Sequence, residues 1–73
     1  MTADKFREYM KRQPFAPFDI RTSDGRAYTV DHPEFVKMYR DGRAINYTTD
    51  DDRDIIINMA HIVSIEVANT RAA

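Results

Sequence analysis

Two Asp-Gly pairs, Asp24-Gly25 and Asp41-Gly42, punctuate a run of short apolar segments between Phe18 and Val67, and this spacing constrains the fold more than any other feature. Asp-Gly between alternating apolar residues is a strong short-range hairpin signal, because glycine adopts positive φ at no steric cost. Strand parity then selects the turns, since a slip of one residue would carry every apolar side chain to the opposite face. A three-residue loop Ser23-Asp24-Gly25, with Gly25 left-handed, pairs Ile20 with Tyr28 and Phe18 with Val30. A two-residue loop would set Ile20 against Thr29. In the second hairpin, Val36 and Met38 match Ile45 and Tyr47 when the loop holds an even number of residues, which Asp41-Gly42 as a type I′ turn provides. A third connection, around Asp50-Asp51-Asp52, returns Ile55 and Ile57 onto Tyr47 and Ile45. Ile56 then faces the other way, which predicts a strand covered on both faces, the second by a helix. Asn58-Met59-Ala60-His61 reads as one short helical turn before a last strand, Ile62 to Val67, with Val63, Ile65 and Val67 inward.

Ahead of the strands, Thr2 to Arg12 reads as a helix with Thr2 as its N-cap and Asp4 in the first turn. Phe6, Tyr9 and Met10 make one apolar stripe at i, i+3 and i+4. The charges pair along the helix, Asp4 with Arg7 and Glu8 with Lys11 or Arg12. Pro14 and Pro17 end the helix and force an extended connector, because the residue before a proline is pushed out of the helical region. Phe15 and Phe18 plug the end of the core.

The chain has 73 residues, enough for a single domain (residues 1–73) made of a helix over 2–12, a β body over 18–67 and a frayed tail over 68–73. It has no cysteine, so neither a disulfide framework nor a thiolate metal site is available. Its 11 basic and 12 acidic side chains nearly cancel, which leaves no global field to attract nucleic acid or anionic lipid. No apolar run approaches the ~18 residues of a membrane span, and no leader-like apolar stretch begins the chain; a cytoplasmic location is expected, with no membrane partner.

The order of helix, short antiparallel strands, tight turn and final strand is similar to small SH3-like barrels, and especially to the Sm-like arrangement. The resemblance implies a strongly bent antiparallel sheet that closes into a barrel behind an N-terminal helix. Where Sm-like proteins carry an Asp/Asn constellation this chain reads Glu34-Phe35-Val36-Lys37-Met38, and where they carry a basic signature before the last strand it reads Asn58-Met59-Ala60-His61. Only His61 stands where a ring-lining contact would be. The set Gln13-Pro14-Phe15-x-Pro17-Phe18-x-Ile20, Asp24-Gly25-Arg26, His32-Pro33-Glu34-Phe35 and His61-Ile62-Val63-x-Ile65-Glu66 resembles a family of short bacterial proteins of uncharacterised function.

Candidate chemistry is sparse. Asp31-His32-Pro33-Glu34 brings one imidazole near two carboxylates, yet His-Pro after a strand is an ordinary way to turn. Asp50-Asp51-Asp52-Arg53-Asp54 lacks the glycine and the closing glutamate of a calcium loop and reads as a solvated hairpin tip. With glycine only at positions 25 and 42, there is no phosphate-cradling loop or nucleophile elbow. No catalytic residue, cofactor or metal site is expected, and the chain does not read as an enzyme. Phe35, Lys37 and Tyr39 alternate opposite Val36 and Met38, and an outward aromatic pair implies a cover, either the N-terminal helix or another subunit. The sequence therefore points to a non-catalytic binding or assembly module that presents an edge strand or the Phe35/Tyr39 face to a protein partner or to a second copy of itself. The other reading is an RNA- or DNA-binding Sm-like homo-oligomer that uses Arg21, Arg26, Arg40, Arg43 and His61, with tyrosines as stacking platforms.

Overall fold

A computed structural model describes residues 1–67, so the tail expected to fray lies outside the described residues. Thr2 caps the helix α1 (Ala3–Met10), its Oγ1 accepting from the Lys5 amide at 3.2 Å. That satisfies one of the amides a helix start leaves without an intrahelical partner. Phe6 is fully buried, and Tyr9 and Met10 pack on the core beside it. Asp4 pairs with Arg7 at 3.1 Å as expected, but Arg12 does not reach Glu8. Its guanidinium sits 4.7 Å above the Tyr9 ring, where a cation meets the electron-rich face.

Among the described residues six strands follow: β1 (Phe18–Thr22), β2 (Ala27–Val30), β3 (Val36–Met38), β4 (Ala44–Thr48), β5 (Asp54–Asn58) and β6 (Ile62–Val67). They form two antiparallel three-stranded sheets, ordered β2-β1-β6 and β3-β4-β5. The division falls at Pro33, which has no amide to donate and opens a 3₁₀ turn over Pro33–Phe35 between β2 and β3. The chain recrosses through a second 3₁₀ turn, Met59–His61, capped by Asn58, whose Oδ1 accepts from the Ala60 amide at 2.8 Å.

All three hairpins have the expected register: Phe18 with Val30 and Ile20 with Tyr28, Val36 with Tyr47 and Met38 with Ile45, Tyr47 with Ile55 and Ile45 with Ile57. Their turns share one device, a residue at positive φ in the sequence Asp-x-Arg. Gly25 (φ 85°), Gly42 (φ 71°) and Asp52 (φ 67°) occupy it. The second loop departs from the expected type I′ turn, which would need positive φ at Asp41 as well. Instead Gly42 donates to the Tyr39 carbonyl at 2.9 Å, closing a turn centred on Arg40 and Asp41 ahead of the left-handed glycine. The Asp41 carboxylate accepts from the Arg43 amide at 3.0 Å, which favours this form.

The first and third loops are near copies. Thr22 and Thr49 each take the carbonyl of the arginine four residues on, at 3.0 and 2.8 Å, and Gly25 and Asp52 each donate back to that threonine's carbonyl. The threonine hydroxyls donate to Asp24 and Asp51.

One core joins both sheets and the helix: Phe6, Phe18, Ile20, Val30, Val36, Ile45, Ile57, Met59 and Ile62. Each such aliphatic or aromatic side chain contributes roughly 1.5–3 kcal/mol on burial. Phe18 is the hub, its ring lying 6.0 Å from those of Phe6 and Tyr9 and 5.8 Å from that of Phe15.

Two expectations about inward faces are corrected. Val63 points outward and is 64% exposed, while Ile62 is buried, because the pairing of β1 with β6 shifts between Arg21 and Thr22. A bulge there places one extra residue in β6 and reverses the face of everything on its N-terminal side. Ile65 and Val67, beyond the bulge, pack on the core as expected. Ile56 is not covered by the helix; it is 65% exposed, and α1 covers the core beside Phe18 instead.

Candidate functional site

The positions of the backbone hydrogen bonds decide which strand edges are open. In an antiparallel ladder, alternate residues direct both backbone groups at the partner and the residues between direct theirs away. Thr49 donates to Arg53 and Met59 donates to Arg43, two bonds that bracket the β4–β5 ladder. They fix Ile55 and Ile57 as the residues bonded to β4 and turn the backbone groups of Asp54, Ile56 and Asn58 outward. The same reasoning from the Thr22 to Arg26 bond places Ile65 and Val67 on the outer edge of β6, in the regular part of its pairing with β1.

The four sheet edges differ in how they are finished. That of β2 carries the Tyr47 hydroxyl on the Thr29 carbonyl at 2.7 Å. That of β3 is three residues long. That of β6 is bent by the bulge. Short edges and bulges are ways of blunting strand addition. The edge of β5 is five residues in unbroken register, with Ile56 exposed at its middle.

Beside β5 lies a cleft of about 430 Å³. Ile55, Ile57 and Tyr28 line it, with Asp24 and His61 among the residues at its first-hairpin end. Tyr28 is held by the Tyr47 ring at 5.4 Å, and Ser23 Oγ lies 3.3 Å from His61 Nδ1. Ser23 also donates its amide to the His61 carbonyl at 2.8 Å, which fixes the hairpin tip against the 3₁₀ turn.

Electrostatics along the edge are uneven. Its β4–β5 end holds Asp50, Asp51, Asp52 and Asp54 against a single cation, Arg53, which pairs with Asp51 at 3.0 Å. The Thr49 hydroxyl, then Arg53, hold the Asp51 carboxyl below the usual aspartate range. The Thr22 hydroxyl lowers that of Asp24 in the same way. Burial, and then the negative charge of Asp50, Asp31 and Asp19, push the Tyr47 phenol upward.

The residues singled out in the sequence are dispersed. Phe35 is not on the strand face with Lys37 and Tyr39; it belongs to the 3₁₀ turn and is half-buried, its ring edge-on to His32 at 5.5 Å. Lys37 and Tyr39 are exposed and share a shallow groove with Asn46 and Asp54 on the outer face of β3-β4-β5. Arg21 pairs with Glu66 at 2.7 Å, and Arg26 with Asp24 at 3.5 Å. Arg26 is protonated more firmly than usual, chiefly through its hydrogen bond to Tyr28. Arg40 and Arg43 belong to the second loop, and the Arg43 carbonyl accepts from Met59, next to the turn that carries His61. Among the described residues, no three histidines or carboxylates are placed to hold a metal ion, and no helix is long and apolar enough to cross a membrane.

Sequence reasoning expected an edge strand but did not single out β5, and it missed the cleft. Ile55 and Ile57 read as core, and the exposed Ile56 between them was the available signal. No protein-family model matches the chain, and neither the curated proteins nor the solved structures compared with it include a match.

Proposed function

We propose that the chain is a small, non-catalytic binding and assembly module of the cytoplasm that acts through protein contacts, and that its two sheets are the halves of an SH3-like or Sm-like barrel. The barrel reading is supported by the two corners. β2 passes into β3 through one 3₁₀ turn and β5 into β6 through the other, and a single core fills the space between the sheets. The binding reading is carried by one observation: among the described residues, β5 keeps a regular, unpaired edge with an exposed isoleucine at its middle. Strand edges in small β domains are usually blunted, so an unblunted one is a site for a second chain.

Lys37 and Tyr39, on the outer face of the same sheet, extend the surface a partner or second copy would cover. Native mass spectrometry at low salt, with the 260/280 nm absorbance ratio, tests the assembly reading. Self-association or a protein complex that weakens on Tyr39→Ala supports it. A ligand-free monomer whose mass and captured partners are unchanged by Tyr39→Ala counts against that face.

The second reading, an RNA- or DNA-binding homo-oligomer, draws on Arg26, Arg43 and His61 lying around one end of the sheets, joined through the Ser23–His61 and Arg43–Met59 backbone bonds. The pairing of Arg21 and Arg26 with carboxylates weakens it. Co-purifying nucleic acid, with salt-dependent affinity lost in an Arg26→Ala, Arg43→Ala double variant, would make it the better reading.

A further inference from the structure

We propose that the free edge of β5 and the cleft beside it receive an extended peptide of a partner protein, apolar at alternate positions and ending in a lysine or arginine that meets the Asp50–Asp54 turn. This deepens the binding reading above and rests on it.

The backbone groups of Asp54, Ile56 and Asn58 point away from β4, so a strand laid along them would gain main-chain hydrogen bonds without displacing any bond within the sheet. Side chains of an added strand alternate between two faces. On the inner face they would enter the cleft over Tyr28, Ile55 and Ile57; on the outer face they would lie beside Ile56. The inner row favours apolar side chains, while the outer row, where Ile56 stands among the polar Asn46 and Asp54, also accepts threonine; alternate main-chain and side-chain contacts are how edge-binding peptides are recognised.

Charge sets the remaining preference. Four aspartates and one arginine crowd the β4–β5 turn, whereas Asp24, at the other end of the cleft, is already paired with Arg26. A cationic residue on the occupant is therefore favoured at one end only. An anionic one there would meet like charge, which is how close electrostatics select between partners.

The test uses the whole chain, ¹⁵N-labelled, and synthetic peptides of about eight residues that alternate valine and threonine. Lysine is placed at one terminus or the other, to cover both strand directions, and each peptide has a counterpart with glutamate in its place. The expected result is saturable binding of one lysine peptide, roughly tenfold tighter than its glutamate counterpart at low salt, with the largest shifts at the amides of Asp54, Ile56 and Asn58. Ile56→Lys should weaken that binding, and a Asp51→Asn, Asp52→Asn double variant should shrink the lysine preference while leaving the thermal midpoint close to that of the parent. Equal affinity for lysine and glutamate peptides overturns the charge assignment. Shifts confined to Lys37 and Tyr39, or no saturable shift up to about 1 mM, overturn the site while leaving the module reading to the mass and Tyr39→Ala measurements. Concentration-dependent dimerisation through the β5 amides without peptide would replace the peptide by a second copy.

Discussion

The two sheets differ in what they turn to solvent. On the outer face of β2-β1-β6, polar side chains bond one another across strands, Arg21 with Glu66 at 2.7 Å and Thr29 with Asp19 at 2.9 Å. Its inner residues Phe18, Ile20 and Val30 are fully buried, with Tyr28, Ile65 and Val67 partly covered beside them. The β3-β4-β5 sheet keeps Ile56 exposed beside Asn46; of its inner residues Val36, Ile45 and Ile57 are buried, and Tyr47, Ile55 and Met38 are only partly covered. The first sheet is the more closed, its exposed Val63 standing at a bulge; the second is the more open, with a regular edge beside a cleft that Tyr28 of the first sheet also lines. In so small a domain the core is already marginal, so an uncovered isoleucine represents burial left unused in the single chain.

The largest effect should come from emptying the closed sheet. Phe18→Ala removes the ring at the centre of the aromatic cluster and should cost about 3–5 kcal/mol, enough to leave the variant largely unfolded. Urea unfolding followed by circular dichroism checks this; a loss of under about 1 kcal/mol would show that the core can collapse onto the gap. Ile56→Thr, on the open sheet, should stay within about 0.5 kcal/mol in the same assay.

The turns sharpen the comparison at intermediate size. A Cβ on Gly25 would meet open space, whereas one on Gly42 would lie 2.9 Å from the Ala3 Cβ of the helix. Both substitutions incur the left-handed penalty of roughly 1–2 kcal/mol, and Gly42→Ala adds a clash. Gly42→Ala should therefore lower the melting midpoint more than Gly25→Ala. Equal losses would mean that α1 is not seated against the second hairpin.

A smaller effect, confined to alkaline pH, is expected at Tyr47. Its folded-state pKa is raised, so its protonated form is favoured in the native state. That contribution is fully present below the unfolded tyrosine value of about 10 and is lost as pH rises from there through the folded value. Tyr47→Phe should lose about 1 kcal/mol at neutral pH, with the Thr29 carbonyl bond, and should lose less stability than the parent as pH rises above 10. Parallel stability curves for the two proteins would contradict it.

The hairpin registers could be read from the sequence because parity is a local property: Phe18, Ile20, Tyr28 and Val30 fit one loop length and no neighbouring one. Thr2 and the Asn58 to His61 turn were equally legible, since capping chemistry belongs to single residues. The face of Val63 was not, because a bulge adds a residue without changing composition, and the reversal shows only once β6 is paired with β1. The kinship of Thr22-Ser23-Asp24-Gly25-Arg26 with Thr49-Asp50-Asp51-Asp52-Arg53 was hidden by Asp52, an aspartate doing what glycine does in the first loop. Of the candidate surface, Lys37 and Tyr39 were visible as an outward row, but the open edge required knowing that β5 ends its sheet.

The central claim is that β5 has an uncovered edge in the free chain, and amide hydrogen exchange along it is the most direct test. Dilute protein should show alternation: slow exchange at Ile55 and Ile57, bonded to β4, and fast exchange at Asp54, Ile56 and Asn58. Protection of Ile56 equal to that of Ile57 would mean that the edge is already occupied, and would contradict the account.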